Sequence, residues 1–216
     1  VWLATAELAL FEGDARTARH ALAAGFELDS NNADAWFSRG SLETERENIR
    51  AARTALEAAL KSRPDFPRAQ AERGTLETLA GDYEAARRFY EQALSAAPDN
   101  YIALTGRGIL KLKSGDSRGA LDDFLRAGVV EPGFGRAWLY SAAAFYQLGE
   151  TQRAREALHK AAQLDPRDPL LRQMISASCR ATSTPRGMPK GDYCAWAEPV
   201  PWEAPRSGSW SAERST

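Results

Sequence analysis

The sequence predicts an all-α protein, a right-handed superhelical solenoid of antiparallel helix pairs, and three observations carry that prediction. LETERENIRAARTALEAAL, Leu42 to Leu60, returns thirty-four residues later as LETLAGDYEAARRFYEQAL, Leu76 to Leu94, with no insertion between them. Small and large apolar residues recur in register at the same interval along most of the chain. Glycine and proline recur where a helix pair must turn back or stop, and a fixed period of this kind marks stacked supersecondary units.

The first unit opens in a helical pattern near Trp2, turns at Gly13, carries Ala18 and Leu22 in its second half, and reaches Ser30. The second has a first helix from about Trp36, a turn at Glu47, then Ala52, Leu56 and a closing Pro64. The third runs from Gln70 through Gly81, Ala86 and Tyr90 to Pro98, and the fourth from Leu104 through Gly115, Ala120 and Phe124 to Pro132. The fifth starts near Trp138, turns at Gly149 and passes Ala154 and Leu158 to Pro166. A glycine at the turn permits the left-handed backbone that ends one helix and lets the next fold back. Glu47 is the one departure among these turns. Each closing proline lacks the amide that a further helical turn needs. The alanines allow close helix approach, and the larger residue four positions on fills the gap.

One such hairpin cannot bury its apolar face alone, so stability comes from stacking on neighbours. LLRQMISASCR, following Pro169, reads as one more helix covering the last hairpin, which sets a repeat domain over residues 1–181. The chain begins Val1-Trp2-Leu3, already inside a helical pattern, and a further unit upstream of Trp2 is expected. From Thr182 the period stops. Five prolines between Pro185 and Pro205 forbid helix or sheet, so residues 182–216 read as an extended, disordered tail bearing Trp196, Trp202 and Trp210.

Composition narrows the function. Twenty-eight Lys and Arg stand against 29 Asp and Glu, which removes any global electrostatic reason to seek nucleic acid or anionic lipid. No stretch is apolar enough to suggest a membrane span. Cys179 and Cys194 make neither a disulfide framework nor a zinc quartet and suit a reducing compartment. His20 and His159 each lack a second ligand within a helical turn and read as surface histidines. There is no glycine-rich phosphate loop and no Ser or Cys nucleophile spaced with a His, so neither an enzyme, a cofactor, a metal nor a small-molecule substrate is expected.

Trp36-x2-Arg39-Gly40-x2-Glu43, followed by Ala52, Leu56, Ala59 and Pro64, resembles a tetratricopeptide repeat, and Trp138 to Pro166 fits nearly as well. The resemblance covers about five-sixths of the chain. It implies a non-catalytic scaffold holding another protein or a peptide segment. Trp36 and Glu43 with Ala52-Arg53 also resemble the half-a-tetratricopeptide (HAT) variant, as do Glu77 with Ala86-Arg87 and the basic halves Ala18-Arg19 and Ala154-Arg155. That variant implies the alternative, an RNA-processing or mRNA-stabilising factor. The fourth unit departs from it, with Lys111 for the acid and Leu121 for the arginine, and Gln70 replaces the tryptophan of the third.

The first helices are expected to build the inner, concave wall from Phe37, Ser41, Thr44, Ala71, Thr75, Thr78, Thr105, Ile109, Leu112, Leu139, Ala143 and Tyr146, a mildly apolar, hydroxyl-rich surface. Members of the family that clamp a peptide carboxylate use Lys and Asn on that wall, and these positions carry neither. Arg39 and Arg73 stand one helical turn before Glu43 and Glu77, so structural ion pairs completed by Arg53 and Arg87 are the first reading. Arg107 instead meets Lys111 and Lys113 with no acid in its helix. With Arg68, Arg73 and Arg136 these cations form the candidate phosphate contacts of the RNA alternative.

Overall fold

A computed structural model describes residues 31–180, together with Ala4, Thr5, Leu8, Ala9, Asp14, Arg16, Thr17, Ala18, His20 and Ala21. The tail expected over residues 182–216 lies outside the described residues, as do Trp2, Gly13, Leu22 and Ser30 of the first unit. Between residues 31 and 180 the chain is helical, without a strand. The helices are α1 (Ala33–Glu45), α2 (Ile49–Ser62), α3 (Pro67–Ala80), α4 (Tyr83–Ala96), α5 (Tyr101–Lys113), α6 (Ser117–Val130), α7 (Gly135–Gln147), α8 (Thr151–Leu164) and α9 (Pro169–Arg180). They form two compact units, one up to Gly106 and one from Arg107, the division falling inside α5. In the first, α1 packs on α2, α3 on α4, and α3 also meets α2 and α1; in the second, α7 packs on α6 and α8, and α8 meets α9.

The first helices begin about three residues before the landmarks at Trp36, Gln70, Leu104 and Trp138. Capping explains the difference. The Asn32 and Asn100 side chains accept from the amides of Ala35 and Ala103 at 2.9 and 3.0 Å, and Pro67 opens α3 at a position where no amide is needed. The closing prolines behave as their chemistry requires, with α2, α4, α6 and α8 ending two residues before Pro64, Pro98, Pro132 and Pro166.

The hairpin turns share one hydrogen-bond pattern. At Gly81, the Gly81 amide donates to Thr78 O and the Asp82 amide to Glu77 O. The same pair of bonds recurs around Gly115 and Gly149, where φ is +88° and +76°. Glu47 makes it too, at φ +55°, in a region that costs a residue with a Cβ about 1–2 kcal/mol. The polar residue that follows caps the second helix: Asn48, Asp82 and Asp116 accept from Ala51, Ala85 and Gly119 amides.

Packing within each pair follows a small-against-large rule. Ala18, Ala52, Ala86, Ala120 and Ala154 are all fully buried, as are Leu56, Tyr90, Phe124 and Leu158 four residues on, each large side chain worth roughly 1.5–3 kcal/mol of burial. The room for those side chains comes from the first helix. A Cβ on Gly40 would stand 2.6 Å from Leu56, one on Gly74 2.6 Å from Tyr90, and one on Gly108 2.5 Å from Phe124. At the fourth equivalent site Ala142 replaces glycine opposite Leu158, and both are fully buried.

Candidate functional site

In the unit up to Gly106, the inner-wall residues divide by burial. Phe37 and Ser41 on α1 and Thr75 and Thr78 on α3 are half-buried and reach solvent. Thr44, Ala71 and Thr105 do not: they are buried, and the Thr44 and Thr105 hydroxyls are spent on their own helices, donating to Gly40 O and Tyr101 O at 2.9 and 2.8 Å. In the unit from Arg107, Ile109 and Tyr146 are half-buried, whereas Leu112, Leu139 and Ala143 are core residues. Half of the expected wall is therefore interior. A first helix packs on its own partner and on its neighbours, which leaves only a narrow accessible stripe; on α3 that stripe is Arg68, Glu72, Thr75, Thr78 and Leu79, set between buried Ala69, Ala71, Arg73, Gly74, Leu76 and Glu77.

The stripe's hydroxyls are tied to the core. Thr78 donates to Gly74 O at 2.9 Å, and the Tyr90 hydroxyl, with one proton to give, lies 3.2 Å from the Thr78 oxygen and 3.4 Å from that of Thr75. Burial pushes the Tyr90 phenol up to about 12. Burial likewise raises the phenol of Tyr146, with Arg155 opposing it.

Charged residues form internal clusters. Glu77, 3 % exposed, receives Arg73 at 2.7 Å from its own helix and Arg53 at 2.6 Å from α2, and Arg73 reaches Glu57 at 3.0 Å. An Arg-Glu-Arg cluster exists at Glu77, but its second arginine is Arg53 of the preceding unit, expected to serve Glu43, and it therefore ties α2 to α3; Arg87, expected at Glu77, pairs along its own helix with Glu84. The Glu43 carboxylate accepts from Asn48 at 2.9 Å, and Arg39 lies over the Trp36 ring.

The expectation that the fourth unit leaves its cations without acids is overturned. Asp123 on α6, 5 % exposed, accepts both guanidinium arms of Arg107 at 2.6 and 2.9 Å and the Lys111 ammonium at 2.8 Å. Arg136 donates to Asp168 at 2.9 Å, while the other oxygen of Asp168 caps α9 through the Leu170 and Leu171 amides. Arg73 is buried in the Glu77 cluster. Of the six candidate phosphate contacts, Arg68 and Lys113 are exposed, Arg68 with its guanidinium 5.0 Å above the Phe37 ring.

Two features were not foreseen. The partners Asp123 and Asp168 lie sixteen and thirty-two residues beyond the arginines they hold, outside the single helical turn over which sequence pairing is read. Glu72 is the other. Burial and the charge of Glu45 push its carboxyl up to about 7 against the pull of Arg68. Among the described residues no group of three or more His, Cys, Asp or Glu is placed to hold a metal ion. No described helix is long and apolar enough to cross a membrane.

Paired helices at a thirty-four-residue interval, with charges locked between them and one narrow stripe open on the first helices, define a helical-repeat scaffold. The sequence pattern of the tetratricopeptide repeat matches residues 42–101 and 105–169, more than half of the chain, and the chain belongs to the tetratricopeptide-repeat family. Among solved structures it is similar to the APC/C hetero-tetramer Cut9-Hcn1, with TM-score 0.76 and 17 % identity over 81 % of this chain. It spans 35 % of the length of that chain. It is also similar to pilF of Pseudomonas aeruginosa, with TM-score 0.69 and 18 % identity, covering 83 % of this chain and 80 % of that one. YrrB, described as a TPR protein with an unusual peptide-binding site, matches with TM-score 0.54 and 20 % identity over 81 % of this chain and 90 % of its own. At these identities the likeness establishes the fold. No curated protein matches the sequence.

Proposed function

We propose that the chain is a non-catalytic scaffold that holds a segment of another protein along the accessible stripe of its first helices. The observation that carries the reading is the stripe itself: Phe37, Ser41, Thr75 and Thr78 stay open on adjacent first helices while Arg53 and Arg73 are engaged by the buried Glu77 carboxylate. An aromatic ring beside hydroxyls suits an extended peptide, whose side chains need apolar contact and whose backbone needs hydrogen-bond partners. The fold likeness to YrrB, with its peptide-binding site, supports the same direction. Selection from a displayed library of short random peptides tests it. Peptides recovered on the wild type are expected to lose at least tenfold in affinity against Ser41→Trp and Thr75→Arg, which block the stripe, with helicity unchanged. Recovery of no binding peptide, or equal binding by both variants, would contradict the proposal.

The alternative, a HAT-type factor that binds RNA, needs cations free to meet phosphate. Arg107, Lys111 and Arg136 are each held by an aspartate, and moving them to phosphate strands a buried acid. Arg68 and Lys113 are the two of the six that are exposed, so a phosphate contact would have to begin there. A salt-sensitive shift of single-stranded RNA, weakened by Arg68→Glu and Lys113→Glu, is the result that would restore it.

A further inference from the structure

Arg53, Arg87 and Arg155 stand at the same position of three second helices, each directly after the buried alanine of its hairpin. Arg53 uses that position to grip Glu77 of the following first helix with both arms of its fork, Nε at 3.2 Å and a terminal nitrogen at 2.6 Å. Arg87, for which Lys111 stands where the acid would, turns to Glu84 of its own helix at 3.4 Å. Arg155 has neither solution. The helix that follows it, α9, reads PLLRQMISASCR, which contains no acid and puts Cys179 at the place of Glu77; on its own helix Gln152 stands where Glu84 does. Among the described residues no hydrogen bond or ion pair engages Arg155. Its Nε, the atom through which Arg53 also holds Glu77, is shut off from solvent without an acceptor, while its terminal nitrogens reach the surface. Tyr146 of α7 is half-buried within the field of Arg155, and no described residue bonds its hydroxyl. The other charges of this hairpin are engaged: Arg153 by Glu150 at 2.7 Å, Arg136 by Asp168 at 2.9 Å, Lys160 over the Trp138 ring, and Glu156 by Gln152 at 3.3 Å. From Thr151 to Arg180 six Lys and Arg stand against three acids, so this end is basic in a chain of net charge −1.

We propose that Arg155 and the Tyr146 hydroxyl form a binding site for the side-chain carboxylate of an Asp or Glu on a partner protein, which supplies from outside the acid that Glu77 supplies to Arg53. The site lies in the unit from Arg107 and does not depend on the α1 and α3 stripe. Enclosing part of a guanidinium without an acceptor costs free energy, and a carboxylate recovers it. One fork and one hydroxyl match the two oxygens of a carboxylate. A nucleic-acid backbone needs a row of cations, and Arg107, Lys111 and Arg136 are already held by aspartates. An apolar side chain would leave Nε as it is.

The test selects from the displayed peptide library on the full chain carrying Ser41→Trp and Thr75→Glu, which block the α1 and α3 stripe and repel acidic peptides from it. The expected result is enrichment of peptides bearing Asp or Glu. One recovered peptide is then titrated against this protein and against the same protein with Arg155→Gln, Arg155→Lys or Tyr146→Phe added. Arg155→Gln should weaken binding about tenfold, the worth of one charge-assisted contact; Arg155→Lys, which keeps the charge without the fork, should cost less, and Tyr146→Phe about threefold. Replacing the peptide's acid by Gln or Asn should cost the same tenfold and abolish the sensitivity to Arg155→Gln, whereas amidating its carboxyl terminus should change nothing. Peptides that lack acids, an Arg155→Gln variant that binds as its parent does, or a loss on amidation overturn the inference. A shift of single-stranded RNA that disappears with Arg155→Gln overturns it as well, in favour of phosphate. Failure to recover any peptide on the blocked protein overturns it too and leaves the scaffold reading, which rests on peptides recovered on the wild type, in place.

Discussion

Replacing Gly74 by alanine sets a methyl group 2.6 Å from one carbon of the Tyr90 ring and 2.7 Å from the next, closer than packed carbons approach. The ring has nowhere to retreat, because it is 2 % exposed and backed by Gly106, and its hydroxyl is bonded to Thr75 and Thr78. Overpacking of this kind costs about 1–3 kcal/mol, and the better helix propensity of alanine returns about 1, so a net loss of about 1–2 kcal/mol is expected. Tyr90→Leu alone opens a cavity and removes the phenol's bonds to Thr75 and Thr78, whose hydroxyls keep their bonds to Ala71 O and Gly74 O, for about 2–4 kcal/mol. The double variant places a methyl in the space the ring vacates, the arrangement Ala142 and Leu158 already adopt at the equivalent site. Its loss should fall short of the sum of the two singles by at least 1 kcal/mol. Urea unfolding of the four proteins, followed by circular dichroism and fluorescence with coincident transitions, measures the coupling. Strict additivity, or a Gly74→Ala variant more stable than wild type, would refute the small-against-large rule.

Glu47→Gly should stabilise the protein by about 0.5–1 kcal/mol, the relief of a left-handed backbone less the added freedom of the unfolded chain, seen as a higher urea midpoint at unchanged slope. Asp123→Asn should cost about 2 kcal/mol: it removes the carboxylate shared by Arg107 and Lys111, whose side chains are 27 % and 32 % exposed and so recover part of the loss through water. Thermal unfolding checks it. For Glu72 the carboxyl is raised in the folded state, from 4.5 to about 7, so its burden is absent below about pH 4.5, grows as pH rises, and is complete above about pH 7. Glu72→Gln should therefore match wild type at pH 4 and exceed it by about 1–2 kcal/mol at pH 8, the full shift being discounted for the side chain's contact with water. Equal stability of the two proteins at pH 8 would remove Glu72 as a strained group.

The repeat was legible because each landmark is a local necessity. A buried alanine at Ala52, Ala86, Ala120 and Ala154, a turn at Gly81, Gly115 and Gly149, and a closing proline each follow from sterics that act within a few residues. Glu47 stood out in the sequence as an exception and adopts the same backbone, since two capping hydrogen bonds hold it there. The surface was less legible. Spacing identifies which side of a first helix turns away from its partner, but not how much of that side its neighbours cover, and so Leu112, Leu139 and Ala143 were expected on a wall they lie beneath. Charge pairing failed for a related reason: Arg107 finds Asp123 across the hairpin rather than along its helix. Glu72 left no trace in the pattern, because the burial that raises its carboxyl depends on how neighbouring helices pack against it.

Amide chemical-shift mapping with a peptide recovered from the library tests the central claim most directly, that the protein works through the open stripe of its first helices. Perturbations concentrated on α1 and α3, around Phe37, Ser41, Thr75 and Thr78, are the predicted result. Perturbations confined to the second helices α2 and α4 would contradict it.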